Sequence, residues 1–200
     1  MSAAKMIWIN GAFGSGKTTM AHALYKRLPE AFIFDPENAG YYLRKNQPAH
    51  LCRDNFQDEP LWRHINRDLL LHIATHYQGV ILVPMTVIRP DYYNELVSSL
   101  QEHNIPVVHI VLAAGEQTLR RRLRKRLEGK HSWAAQQIKP CLEGFRHPLF
   151  RTQIQTDGRS VEDIAEEIAR HAGLTLLPRR RGILPYLQRF GNQLRHIHWS

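Results

Sequence analysis

Between Gly11 and Thr18 the chain reads Gly-Ala-Phe-Gly-Ser-Gly-Lys-Thr, which fills every fixed position of the pattern G-x-x-x-x-G-K-[ST]. The flanks fit as well. Met6-Ile7-Trp8-Ile9 is a short apolar run with the character of a buried strand, and Thr19 to Leu28 has that of a helix. When strand, glycine-rich loop and helix follow in that order, successive backbone N–H groups turn inward and the positive end of the helix dipole joins them. Such a concavity takes the phosphates of a nucleotide. The residues expected around ATP are therefore Gly11, Ala12, Phe13, Gly14, Ser15, Gly16, Lys17, Thr18 and Thr19. Among them, Lys17 is expected to reach the β- and γ-phosphates, where charge develops during transfer, and the Thr18 hydroxyl to ligate Mg²⁺.

A chain of 200 residues suffices for one doubly wound domain burying roughly 70% of its unfolded surface. Its hydrophobic share of 43%, with no low-complexity tract or internal repeat, excludes a disordered or fibrous chain. Cys52 and Cys141 are too few and too far apart for a disulfide framework, and no secretory leader pattern opens the chain, so a reducing cytoplasm is expected. No apolar run approaches the ~20 residues that cross a bilayer, which confines any membrane contact to the surface. The net charge of +9 gathers in two places. One is Arg120, Arg121, Arg122, Arg124, Lys125 and Arg126; the other is a C-terminal tail with Arg179, Arg180, Arg181, Arg189 and Arg195 and no acid. Nucleotide phosphate, anionic lipid and nucleic acid all suit such charge. Nucleic acid is disfavoured, because no aromatic-studded strand or recognised helix motif accompanies it.

Strand and helix patterns alternate beyond the loop. Ala31 to Phe34 reads as a strand ending at Asp35-Pro36, with a helix starting at Pro36. Ligands in open α/β sheets gather at the carboxyl ends of strands, which sets Asp35 at the mouth of the site. Two readings stand for it: a carboxylate that takes a substrate proton or serves Mg²⁺, or a cap for the following helix. Arg44, about two turns on, either holds substrate or lies on a solvated face. Residues 60–77 have helical spacing with Trp62, Ile65, Leu69, Ile73 and Tyr77 as the core stripe. His64, Asp68, His72 and His76 repeat every four residues on another face, which is read as solvated rather than as a zinc site.

Gly79 to Pro84 is the most apolar run and reads as a central parallel strand. Many phosphate-loop enzymes place a Mg²⁺-holding Asp at the end of such a strand, where this chain has Pro84-Met85-Thr86, so the metal role is expected of Asp35 together with Thr18. A helix over 91–103, a strand over 107–112, a helix over 116–128, a strand at 154–156 and a helix over 161–171 complete the pattern. The predicted fold is α/β: a three-layer, doubly wound parallel sheet of five strands, of the phosphate-loop, nucleoside-kinase type. Leu119, Leu123 and Leu127 are expected to face the core, leaving Arg122 and Arg126, one turn apart, to point at the nucleotide and neutralise the transferring phosphoryl. A lid is placed at about 126–145, and the kinase-like domain at 1–177. In the tail, 178–200, Ile183, Leu187, Phe190, Leu194 and Ile197 form the apolar stripe of a basic amphipathic helix. Residues 179–200 are assigned to an anionic membrane surface, with packing on the domain or on a second subunit as the alternative.

The stretches Ile7–Thr18, Asp35–Gly40 (DPENAG), Leu82–Val87 (LVPMTV), Gly129–Ile138 (GKHSWAAQQI) and Ile154–Asp157 (IQTD) together resemble the tunicamycin-resistance protein family. The resemblance runs nearly end to end. It implies a fold like the small-molecule kinases, ATP binding, peripheral association with the inner face of the membrane, and protection against a nucleoside antibiotic bearing sugars and an acyl chain. Phosphorylation of the drug and sequestration without modification are both compatible with it. Asp35 and the arginine-bearing lid favour the kinase, while the absent carboxylate after Val83 favours the binder.

Overall fold

The three central strands carry β-branched and aliphatic residues on both faces, as a sheet covered on both sides requires. In the structure, a computed structural model that describes residues 5–129 and 132–178, five strands lie parallel in the order β2-β3-β1-β4-β5. They are β1 (Lys5–Gly11), β2 (Ala31–Ile33), β3 (Val80–Pro84), β4 (Val107–Ala113) and β5 (Gln153–Gln155). β1 occupies the centre, with Ile7 opposite Leu82 on one side and opposite Val108 on the other. All five carboxyl ends therefore point the same way, and the loops that follow them share one edge.

The two faces of the sheet are covered by different helices. On one face Ile7, Ile9, Leu82, Ile110 and Leu112 pack with Met20, Ala21 and Leu24 of α1 (Lys17–Tyr25) and with Ile164, Ala165 and Ile168 of α8 (Val161–His171). On the other, Met6, Trp8, Ile81, Val83 and Val111 pack with α3 (Pro60–His76) and α4 (Pro90–Glu102). Between β2 and α3 runs α2 (Glu37–Asn46). After β4 come α5 (Glu116–Arg124) and two short helices, α6 (Trp133–Gln136) and α7 (Ile138–Gly144). The three-layer sheet is thus the predicted one; the tail from Arg179 onward lies outside the described residues.

Two expectations about helix faces need correction. The buried seam of α3 is Trp62, Asn66, Leu70 and Ala74, whereas Leu69 is exposed. The seam accepts a polar residue because the Asn66 amide donates to Trp62 O at 2.9 Å and the Trp62 indole donates to Pro36 O at 2.9 Å. His64, Asp68, His72 and His76 all point outward, and no group of three metal-ligating side chains forms among the described residues. Second, α5 stops at Arg124 instead of Glu128. Leu127 takes a left-handed φ of 63°, with Leu127 N–H donating to Arg124 O and Glu128 N–H reaching back to Leu123 O. That is a C-terminal helix closure usually built on glycine. Leu119 and Leu123 are buried as expected, but Leu127 is 95% exposed.

Candidate active site

β1 delivers the phosphate loop, and its last polar residue fixes where the loop begins. Asn10 is fully buried. Its side-chain carbonyl accepts from Gly11 N–H at 2.9 Å and from Val87 N–H at 3.0 Å, and its amide donates to Val87 O at 2.8 Å. The Asn10 amide nitrogen also lies 3.1 Å from His109 Nε2 on β4. A single side chain therefore ties the loop entrance to the segment after β3 and to β4. Thr86 adds a donor, its hydroxyl 2.8 Å from Gly11 O, and Gln57 in turn donates to Thr86 O at 2.7 Å. Thr86, which follows the strand where a carboxylate was missing from the sequence, spends its hydroxyl on the loop.

Two glycines show why the loop can have this path. A Cβ on Gly11 would come within 2.6 Å of Ser15 Oγ and 2.8 Å of Leu112 O. Gly16 has φ 105° and stands at the N-cap of α1, a left-handed conformation that L side chains rarely adopt. The turn it makes leaves the first N–H groups of α1 facing the concavity without intrahelical partners. The Ser15 hydroxyl is buried beside them with no protein partner. These groups fit an anion, and ATP phosphates in particular.

Lys17 is half-buried, with its ammonium at the enclosed end. It donates to Gly11 O at 3.1 Å and Ala12 O at 3.3 Å, and it sits 5.3 Å from the centre of the Phe13 ring. Burial lowers its pKa to about 8; the Glu37 carboxylate opposes that shift, as do Cys141 and Asp35, while Arg126 adds to it. Lys17 thus stands in a shared field of Glu37, Asp35 and Arg126. Glu37 escaped the sequence reading. It opens α2, where an acid is unremarkable beside a helix dipole, and only the return of β2 to the sheet brings it toward Lys17. Tyr41, one turn on, donates to Glu37 Oε2 at 3.3 Å; burial first and then Glu37 push its pKa up to about 12.

Asp35 follows β2 and caps the next helix, as one of its two readings expects. Its Oδ1 accepts from Glu37 N–H at 3.0 Å, which caps the entrance to α2, while its charge also reaches Lys17. Thr18 lies exposed in the first turn of α1. Thr18 in the first turn of α1 and the acids Asp35 and Glu37 after β2 supply hard oxygens, a donor chemistry that fits Mg²⁺.

The two arginines separate. Arg122 is bound to the outside of the loop: Nη1 donates to Ser15 O at 3.2 Å and to Thr156 Oγ1 at 3.0 Å, and Nη2 donates to Thr156 O at 3.0 Å. Burial lowers its pKa from the usual guanidinium value. Arg126 lies beyond the end of α5, exposed, with its charge felt at Lys17. Arg44 turns away from the loop, donating to Asp54 O at 2.6 Å and lying over the Phe56 ring. Across the mouth, Trp133 of α6 meets Phe13 edge to face at 5.0 Å. Behind it the Cys141 thiol of α7 is buried, and burial raises its pKa to about 11.

A phosphate loop at the carboxyl edge of a sheet ordered 2-3-1-4-5, with acids after β2 and a basic helix after β4, defines the phosphate-loop kinase-like class. The AAA domain family matches residues 6–148. The structure superposes on that of the Deinococcus radiodurans tunicamycin resistance protein with a TM-score of 0.75, at 34% identity over 88% of this chain and 99% of that one. The chain belongs to the tunicamycin-resistance protein family, within the AAA-domain group of phosphate-loop proteins. More distant likenesses concern the fold alone. They include the Mycobacterium tuberculosis APS kinase in complex with AMPPNP and APS (TM-score 0.58, 18% identity, 86% of this chain and 99% of that one). The Sinorhizobium meliloti gluconokinase is another (TM-score 0.58, 15% identity, 86% and 94%). No curated protein matches the sequence.

Proposed function

We propose that the chain is an ATP-dependent phosphotransferase that moves the γ-phosphoryl group to a hydroxyl of a tunicamycin-like nucleoside antibiotic. The observation that carries this reading is the pair of carboxylates, Asp35 and Glu37, whose charges bear on Lys17 at the mouth of the loop. A loop that only held nucleotide would need the lysine but not acids beside the γ-phosphate position. In this reading Lys17 leaves its resting carbonyl partners and neutralises the phosphoryl oxygens. Asp35, oriented by the Glu37 N–H, accepts the proton of the attacking hydroxyl. Thr18, with Asp35 and Glu37, would hold Mg²⁺, which when bound draws charge from the phosphate oxygens. Arg122 keeps the loop in shape from behind, and the exposed Arg126 is the arginine that approaches the transferring group.

The acceptor class rests on the family, since the Deinococcus radiodurans relative is a tunicamycin resistance protein. A second reading has one observation of its own. Thr86 stands where many kinases carry a metal-holding carboxylate, and its hydroxyl is committed to Gly11 O. On that reading the protein binds ATP and sequesters the drug unmodified. Either way the tail, 179–200, is assigned to the inner face of an anionic membrane, where an acylated drug partitions. Among the described residues no helix is long and apolar enough to cross the membrane.

The deciding experiment is mass spectrometry of tunicamycin incubated with the protein, ATP and Mg²⁺. A product heavier by one phosphoryl group is expected, and Asp35→Asn should abolish it while ATP binding persists. Recovery of unmodified drug from protected cells under saturating ATP would establish sequestration instead.

A further inference from the structure

α5 has two opposed jobs built into nine residues. Its inner side walls the phosphate loop: Leu119 and Leu123 are buried, and Arg122 grips Ser15 O and Thr156. Its outer side carries Arg121, Arg124 and Lys125, all exposed and spaced i, i+3, i+4 so that they share one face. Among the described residues none of these three joins an ion pair, in contrast to neighbouring Arg120, which pairs with Glu116 at 2.8 Å. The helix dipole accommodates cations in this last turn, and with no carboxylate paired to them they leave a face of positive charge available to an anionic partner.

What distinguishes this face from an ordinary solvated one is its end. Leu127, two residues past Lys125, is 95% exposed and held outward by its left-handed backbone. The closure of α5 would be satisfied more cheaply by glycine, yet it projects a four-carbon apolar side chain past a collar of cations. Cations attract a negatively charged surface, and a fully exposed leucine beyond them gains free energy only where an apolar interior lies behind the charge. A lipid bilayer has that layering. A nucleic acid backbone does not, and it offers no apolar layer to Leu127.

We infer that the outer face of α5, with Leu127 as its tip, docks on an anionic lipid surface. α5 is also a wall of the active site, so docking there holds the mouth of the site within about one helix diameter, ~10 Å, of the membrane. An acceptor whose acyl chain stays in the bilayer can then present its polar end without leaving it. That benefit rests on the proposed acceptor; the contact itself rests on Arg121, Arg124, Lys125 and Leu127. It is separate from the tail, and it orients the domain where a tail alone would only tether it.

The test uses the full chain in a Cys52→Ser background, since Cys141 is buried and does not label. A polarity-sensitive fluorophore is placed at Leu127→Cys and, as a control, at Gln101→Cys, an exposed position near the end of α4 at the opposite edge of the sheet. With phosphatidylserine-containing phosphatidylcholine vesicles, the label at 127 is expected to shift to the blue and be quenched by nitroxide-bearing lipid, while that at 101 is unchanged. Replacing Arg121, Arg124 and Lys125 with serine should weaken vesicle partitioning about fivefold for each cation removed. Circular dichroism and ATP binding verify that this variant is folded. Vesicle binding with the label at 127 still in water would assign attachment to the tail alone and overturn the inference. It would equally be overturned by a label that responds to single-stranded RNA but not to vesicles, or by no vesicle binding at all.

Discussion

The site is bounded by two halves that are held in different ways. On the β1 side, the phosphate loop is pinned by directional bonds from three chain segments: Asn10 to Val87, Thr86 to Gly11 O, and Arg122 to Ser15 O. On the α6–α7 side, residues 132–145 meet the loop mainly through apolar contact, with Trp133 on Phe13 and with Ile138 and Cys141 in the core, and through one hydrogen bond between Cys141 and the Phe13 backbone. Buried polar bonds specify one geometry, because each left unmade exposes a costly orphan, whereas apolar burial is non-directional. The first half is built to hold phosphates that are the same in every nucleotide. The second half is held mostly by packing, which makes it the place to test for recognition of the acceptor.

The most severe way to break this division is at Lys17. Lys17→Met should reduce phosphoryl transfer by a factor of about a hundred to a thousand, the loss that accompanies removal of one preorganised donor from a developing charge. The same change should stabilise the resting protein near neutral pH. Burial depresses the folded pKa of Lys17 to about 8 from 10.5, so the unfolded chain binds the extra proton between those values, and stability rises with pH across that window. Below pH 8 the full penalty is present. Thermal melts from pH 7 to 10.5 should therefore rise for the natural chain relative to Lys17→Met, and a difference that stays flat would mean the ammonium is not enclosed.

A smaller effect is expected at Asn10, which acts on structure more than on chemistry. Asn10→Ala leaves Val87 N–H, Val87 O and Gly11 N–H without their partner, at a cost of about 3 kcal/mol. For a domain of this size that is a fall in Tm of roughly 10 °C. ATP affinity should fall with it, because the loop entrance is released. Unchanged melting would show that the pinned half is not pinned by this residue.

These sites differ in how legible they were. The phosphate loop and the helix that follows it were readable because the glycine spacing acts within one short segment, and Gly11, Gly14 and Gly16 do take positive φ. Alternating strand and helix patterns gave a parallel sheet, but no local signal encodes that β1 lies between β3 and β4. Asn10 carries no motif; its one clue is a polar residue at the end of an apolar strand. The surroundings of Glu37, which the sequence did not single out, and of Arg122 were not legible for a common reason, since what each touches is decided by segments distant in sequence: β2 returning beside the loop, and Thr156 following β5. Leu127 shows the opposite failure. A perfect four-residue leucine spacing implied burial, and a helix end four residues early turned the last leucine outward.

The least disruptive change is Trp133→Ala, which acts on the packed half alone. Trp133 is 45% exposed and touches the loop by one edge-to-face contact with Phe13, so its removal should cost the fold only about 1 kcal/mol. Its influence on the site should be larger than on the fold. Phe13 is held between the Trp133 edge and the Lys17 ammonium, 5.3 Å from the ring centre, and loosening one neighbour leaves the other less well placed. KM for ATP should rise about threefold, with Tm within a few degrees of the natural chain. Trp133→Phe, which retains an aromatic edge, should recover most of the loss. If Trp133→Ala lowered Tm as far as Asn10→Ala does, the lid would be part of the rigid frame, and the distinction between the two halves would fail. If instead neither KM nor Tm moved, Phe13 would be held by the loop's own backbone, and the packed half would have to communicate with the nucleotide through Arg126.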